Sequence, residues 1–324
     1  MTPPPASPNG DRAAASLRPP RLHAGSTVAV VATSGCGEPD LLAEGCRVLD
    51  GWGLHVQVGT HTLERHPVFD YLAAPDEDRA ADLQEAWLDP QVEAVLAARG
   101  GYGAQRIVDR LDWAAMAAVP PKIFTGFSDI TALHEAFAGR LGLATLHAPN
   151  IWGTGFSQHS AAQRALRSAL FEPDAPDVQA LPFSAVQALA HGRATGRTAG
   201  GNLSMIASGL GTADGRQDGG FAGCILLLED VGEEPYRLDR VLTQLLRAGA
   251  LDGVAAVALG TWAGCEPERA VRAVMADRLI PLGVPVAWGL QFGHVAPQPV
   301  IPLGVPATID TQAGTLTFHE PAVS

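Results

Sequence analysis

In Lys122-Ile-Phe-Thr-Gly-Phe-Ser-Asp-Ile-Thr131 an apolar run gives way to a helix across a single serine. Residues 122–127 read as a buried strand, and Ser128 passes the chain to a helix starting at about Asp129 or Ile130. The same passage from strand to helix recurs upstream. Residues 27–32 (TVAVVA) read as a strand, 39–49 as a helix, 55–58 as a strand and 76–88 as a helix. Residues 92–98 then form a strand that runs into the glycine cluster Arg99-Gly-Gly-Tyr-Gly103 and a helix to Arg110. Such alternation argues for a parallel sheet covered by helices, an α/β, flavodoxin-like N-terminal domain over residues 23–150.

Downstream of this domain the rhythm breaks. Residues 151–195 hold one helix (160–170) and a Pro-punctuated segment, EPDAPDVQALPF, read as the crossing between domains. Residues 196–324 form a mixed α/β C-terminal domain. Its apolar run at 224–228 reads as a strand, and so do 254–259 and 284–288. Leu238, Val241, Leu242, Leu245 and Leu246 mark one face of a helix with Pro235 at its start. Residues 300–318 are a succession of short strands with Gly304, Pro306 and Gly314 at the turns, a β-rich end.

Of the 324 residues, 47% are hydrophobic and 17% charged, which excludes a disordered chain or a coiled-coil rod. With 22 Lys and Arg against 34 Asp and Glu the formal net charge is −12, so a nucleic-acid partner is not expected. Residues 1–22, rich in Pro, Ala and Ser, are expected to be a disordered tail without the apolar core of a secretion signal. No stretch reaches the roughly 18 apolar residues of a membrane span. The four cysteines, Cys36, Cys46, Cys224 and Cys265, are too scattered for a disulfide framework. A cytoplasmic protein is expected.

Two glycine signatures lead nowhere. Gly35-Cys36-Gly37 opens a dinucleotide fingerprint, but Asp40 stands where its third glycine belongs. The stretch from Gly196 to Gly201 has the spacing of a phosphate loop, but Asn202 replaces the phosphate-binding lysine. His134, His147 and His294 are scattered singly, so no metal site and no cofactor are expected. Ser128 is different, because a strand–turn–helix is the setting of a nucleophile elbow. An N-cap serine fits the same spacing, and Ile130 replaces the second glycine of G-x-S-x-G. A serine nucleophile needs a base and a group to orient it. Glu229 ends the apolar strand CILLLED, a costly place for a carboxylate unless it is paired, and His294 lies in a Gly- and Pro-bounded loop.

Arg99-Gly-Gly-Tyr-Gly103, Gly126-Phe-Ser-Asp-Ile-Thr131, Ala199-Gly-Gly-Asn-Leu-Ser204, Leu228-Glu-Asp-Val-Gly-Glu-Glu-Pro-Tyr-Arg-Leu-Asp239 and Gly293-His-Val-Ala-Pro-Gln298 together resemble the LD-carboxypeptidases, serine peptidases of muropeptide recycling. The likeness runs from about Val28 to the C-terminus. It implies a triad of Ser128, His294 and Glu229 in the cleft between the domains. It also implies an oxyanion hole from the backbone N–H groups of Asp129 and of a glycine in the 99–103 loop, assigned to Gly101. The family implies a metal-free cytoplasmic homodimer. One departure is His147-Ala-Pro-Asn150, where relatives often have His-Gly-Pro and a bulkier residue, which bears on the shape of the pocket.

The expected activity is removal of the terminal D-alanine from murein tetrapeptide. Arg99 and Arg237 are candidate partners for the substrate carboxylate. A second family reading resembles the microcin C immunity peptidases, which cut peptide-nucleotide or aminoacyl-sulfamoyl adenylates; Trp152 or Trp262 would then stack on the purine. A reading of another class is a non-catalytic small-molecule binding protein, which a fluorophosphonate label on Ser128 would exclude.

Overall fold

Strand β1 (Thr27–Val31) is apolar on both sides because both faces of its sheet are covered. Val28 and Val30 join a core with Leu96 and Leu146, whereas Ala29 and Val31 join Trp87, Phe124 and Phe137 on the opposite face. In the computed structural model of the chain, which describes residues 16–175, 179–216 and 218–324, β1 pairs in parallel with β2 (His55–Val58) and β3 (Val92–Ala97). β3 continues in parallel to β4 (Ile123–Gly126), and β4 to β5 (Thr145–His147). The order β2-β1-β3-β4-β5 is the flavodoxin-like one, with its switch point between β1 and β3. Loops at the carboxyl ends of β1, β3 and β4 therefore meet where α/β sheets bind ligands.

The second sheet holds β6 (Ala180–Pro182), β7 (Arg193–Asn202), β8 (Cys224–Val231), β9 (Ala256–Ala263) and β10 (Val286–Ala287), with β12 (Pro306–Asp310) and β13 (Thr315–Phe318). β7 to β10 run parallel, and β12, β13 and β6 extend the sheet antiparallel. Alternation along β8 sends Ile225 and Leu227 into the same core as Val28 and Val30, and Leu226 and Leu228 into a core of their own. One apolar core thus reaches both sheets. This mixed α/β body agrees with the fold class expected from the sequence.

Two expectations need correction. The disordered tail stops short of residue 22: Arg21 N–H donates to Ser324 O (2.8 Å), Leu22 N–H donates to Leu170 O (2.9 Å), and Leu22 is 2% exposed. An apolar side chain to bury and free carbonyls nearby are enough to order this segment, while residues 1–15 lie outside the described residues. The β-rich end is divided, because β11 (Ile301–Leu303) leaves the second sheet and pairs antiparallel with β5 of the first. The helices Thr154–Ser157 and Ser160–Phe171 of the expected crossing pack Phe156 and Phe171 edge-on against Trp52 of the N-terminal domain.

Candidate active site

The serine side is built from backbone. β4 ends at Gly126, Phe127 is extended, and Ser128 has φ +67°, a left-handed conformation that a non-glycine residue holds only at a cost of about 1–3 kcal/mol. An ordinary N-cap sits in the β region, so this strained turn favours an elbow over a cap. Asn150 grips the turn from the side: its Oδ1 accepts from Phe127 N–H (3.2 Å) and its Nδ2 donates to Phe127 O (3.5 Å). The departure at residue 150 therefore places an amide against the elbow. Gly100 lies against the serine, since a Cβ built there would stand 3.0 Å from Ser128 Cβ. Gly101, with φ +113°, lies one residue further on and packs toward Gly35.

The histidine side is built from side chains. Glu229, at the end of β8, is fully buried, and His294 Nδ1–H donates to its Oε2 at 2.6 Å. Burial pushes the Glu229 carboxyl up, and the His294 contact opposes that shift. Asn202 Nδ2 reaches the other oxygen at 3.4 Å and Asp230 Oδ1 at 3.0 Å. Gly293 makes the close approach possible: its φ is +97°, and a Cβ there would stand 2.5 Å from Glu229 Oε2. With Nδ1 committed to the carboxylate, Nε2 is the nitrogen left to accept a proton.

The two sides meet through rings and one hydrogen bond. The His294 ring lies 5.0 Å from that of Phe127, the residue before Ser128. Asn202 N–H donates to Thr131 Oγ1 (2.9 Å), and a Cβ on Gly201 would stand 2.5 Å from the same oxygen, so β7 runs against the start of the helix Thr131–Leu141. Among the described residues Ser128 Oγ has no hydrogen-bond partner. Catalytic hydrogen bonds commonly tighten only once substrate is bound. Beneath Phe127 lies His147, whose ring nitrogens are buried without partners; burial, with His134 and His294 nearby, pushes its pKa down to about 3. Burial likewise holds His134 at about 4, although its Nε2 donates to Gly126 O (2.9 Å).

The candidate substrate contacts separate. Arg99 stays exposed beside the site and donates to Cys36 O. Arg237 is turned to Glu233 (3.7 Å) and the Tyr236 hydroxyl (3.2 Å) on the exposed start of the helix Pro235–Arg247. Trp152 is 3% exposed, belongs to the buried core and donates Nε1–H to Glu38 O (2.6 Å), so its indole is not open for the stacking read from the sequence. Trp262 is half-buried and stacks on Trp288 at 6.3 Å. Sequence reasoning assigned no role to Asn202 or Asn150. Their signals were that Asn202 falls within the motif Ala199-Gly-Gly-Asn-Leu-Ser204 and that Asn150 ends the departure His147-Ala-Pro-Asn150.

A strained serine on a strand–helix turn, whose preceding phenylalanine ring lies 5.0 Å from an imidazole anchored on a buried carboxylate, fits the equipment of a serine hydrolase. The LD-carboxypeptidase N-terminal domain matches residues 28–148 and the LD-carboxypeptidase C-terminal domain residues 195–309, so the chain belongs to the LD-carboxypeptidase family of serine peptidases. It is 54% identical over 307 residues to a protein of Streptomyces coelicolor named as a carboxypeptidase, covering 95% of this chain and 97% of that one. It is 34% identical over 291 residues to the murein tetrapeptide carboxypeptidase of Pseudomonas aeruginosa, covering 87% and 92%. Its fold is that of MccF solved in complex with glutamyl sulfamoyl guanosine, with a TM-score of 0.80 at 21% identity over 95% of this chain and 100% of that one.

Proposed function

We propose that this chain is a serine LD-carboxypeptidase that hydrolyses the terminal D-alanine from murein tetrapeptide, with Ser128 as nucleophile, His294 as general base and Glu229 as its orienting group. Ser128 Oγ attacks the carbonyl of the L-centre of the diamino acid. His294 Nε2 takes the hydroxyl proton and returns it to the leaving amine of D-alanine, and water then releases the acyl group by the same route. The N–H groups of Asp129 and of the glycine loop, at Gly101, receive the oxyanion. Arg99 is the cation for the terminal carboxylate. The observation that carries this reading is the fully buried Glu229 bound to His294 Nδ1 at 2.6 Å, with the His294 ring 5.0 Å from that of Phe127, the residue before a serine held at φ +67°. The relative named as a murein tetrapeptide carboxypeptidase supports the substrate. A cytoplasmic homodimer belongs to the same proposal, to be checked by cell fractionation and light scattering.

The test is D-alanine release from L-Ala-D-Glu-diaminopimelate-D-Ala by purified protein. Release is expected with kcat/KM at least about tenfold above that for an aminoacyl-sulfamoyl adenosine, because a tenfold preference needs only about 1.4 kcal/mol of differential binding. The opposite order would favour an immunity-type peptidase, a reading supported by the MccF-like fold and by Trp262, whose indole is only half-buried. In that case Trp262→Ala would raise KM for the nucleotide substrate by about ten- to a hundredfold, since stacking on a base contributes roughly 1–3 kcal/mol.

A further inference from the structure

We propose that the carboxylate of Asp129 is a positioning residue: it ties the nucleophile elbow to the glycine loop and so holds the two oxyanion-binding amides at one spacing. This rests on the reading of Ser128 as nucleophile and goes beyond it, because that reading uses only the backbone N–H of Asp129. The side chain is 1% exposed, and one of its oxygens, Oδ2, takes two hydrogen bonds. Ser34 Oγ donates to it at 2.6 Å from the loop after β1, and Ala104 N–H donates at 2.8 Å from the residue that follows Arg99-Gly-Gly-Tyr-Gly103. Elbow, β1 loop and glycine loop therefore converge on a single atom.

A second buried group grips the same two loops one residue away. Arg79, with no side-chain exposure, donates through Nη1 to Thr33 O (2.5 Å) and Gly103 O (2.9 Å), and through Nε to Ala74 O (3.0 Å), while Asp76 pairs with its Nη2. Residues 33 and 103 are thus held by Arg79, and residues 34 and 104 by Asp129. The loops also join each other directly, Gly35 N–H donating to Gly100 O at 3.1 Å. Burying a carboxylate costs free energy, and burial does push Asp129 up against the pull of Ser34, Ala104 and Arg79. An apolar residue would serve a helix start packed on Ile130 and Ala104 at lower cost. What the carboxylate adds is a fixed distance between the turn at Ser128 and the loop whose Gly100 touches it. Donors placed in advance of the reaction are what an oxyanion hole requires.

The experiment compares Asp129→Ala, Asp129→Asn and Ser34→Ala in the full-length protein. Readouts are kcat and KM for D-alanine release and the affinity of a tetrahedral phosphonate analogue of the tetrapeptide. Asp129→Ala is expected to lower kcat by about 10²–10³, the size of losing one oxyanion donor, with KM within about threefold. Phosphonate affinity should fall by a similar factor, because a transition-state contact is lost and not a ground-state one. Asp129→Asn should recover kcat to within about tenfold of wild type, since its one amide oxygen can accept both bonds. Ser34→Ala, which removes one of the two bonds, should cost roughly tenfold in kcat and serves if Asp129→Ala does not fold. An unchanged kcat in Asp129→Ala or Ser34→Ala, a loss confined to KM, or an equal loss in Asp129→Asn and Asp129→Ala would overturn the proposal. If Ser128→Ala itself retains turnover, the functional reading fails; if Ser128→Ala is dead and Asp129→Ala is not, only the positioning role fails.

Discussion

The turn around Ser128 and the pair formed by Glu229 and His294, the two halves of the proposed site, are held in different ways. At the elbow, buried side chains bind backbone: Arg79 holds the carbonyls of Thr33, Ala74 and Gly103, and Asn150 holds both polar atoms of Phe127. At the other half a buried side chain binds a side chain, and His294 rides on a loop between β10 and β11 that is tied to β9 where Leu290 N–H donates to Leu259 O (3.0 Å) and Thr261 N–H donates to Phe292 O (3.0 Å). A nucleophile needs one conformation, which backbone strain supplies. A base must exchange protons and accommodate both charge states, which a carboxylate partner supplies.

That contrast can be broken most directly at Ser128. Ser128→Ala is expected to lower kcat by about 10⁴ or more and to change stability by only about 1 kcal/mol. Ser128→Gly should be equally inactive yet more stable than Ser128→Ala by roughly 1 kcal/mol, because glycine holds φ +67° without strain. Chemical denaturation of both variants checks this, and equal stabilities would mean that the elbow stores no strain. Next in size is Glu229→Gln. The fold should persist, but kcat should fall by about 10³–10⁴, since the amide favours the wrong imidazole tautomer. Steady-state kinetics on the folded variant decide it, and a loss below tenfold would remove Glu229 from the mechanism.

Gly293→Ala sharpens the comparison from the loop side. A methyl group 2.5 Å from Glu229 Oε2, on a residue with φ +97°, must push His294 away. We expect about ten- to a hundredfold off kcat and about 1–3 kcal/mol off stability, a coupled loss that Ser128→Ala does not show. His147 below Phe127 bears on stability alone. Its folded pKa of about 3 lies under the unfolded value near 6.5, so between the two the unfolded chain binds a proton that the folded chain refuses. Its contribution is complete above about pH 6.5 and is lost as pH falls toward 3. His147→Phe should therefore shed less stability on acidification than wild type, by about 1.4 kcal/mol per pH unit between roughly pH 6 and 4. Glu229 and Asp129, whose raised pKa values act in the opposite sense, are common to both proteins and cancel in the difference. Parallel stability–pH curves would show that His147 does not resist protonation.

Several features of this arrangement are legible in residue order. The strand from 122 to 127 and the helix after Ser128 follow from local apolar periodicity. The odd position of Glu229 at the end of CILLLED shows because a carboxylate contrasts with its neighbours. The helix Glu268–Leu279 escaped notice, since its buried face is limited to Val271, Met275 and Leu279 among charged residues. The glycine spacing from Gly196 to Gly201, which resembles a phosphate loop, belongs to strand β7, where Gly196 and Gly200 lie against the backbone at Gly223 and Leu227 and Gly201 admits Thr131. Trp152 looked available for stacking because nothing in its own neighbourhood of sequence indicates that Glu38 and the core will cover it.

By itself the sequence determined the α/β class and the strand–helix order of the first sheet, and it singled out the serine, histidine and carboxylate of the proposed triad, of which the structure joins Glu229 and His294. These depend on period, composition and motif, all readable along one dimension. Only the tertiary structure decided that β11 closes the first sheet, that one core serves both sheets, and that Asp129 gathers Ser34 and Ala104 from 95 and 25 residues away. Such meetings depend on how parallel strands stack in register and on which buried polar groups must then find partners, and neither condition exists until the sheets have packed.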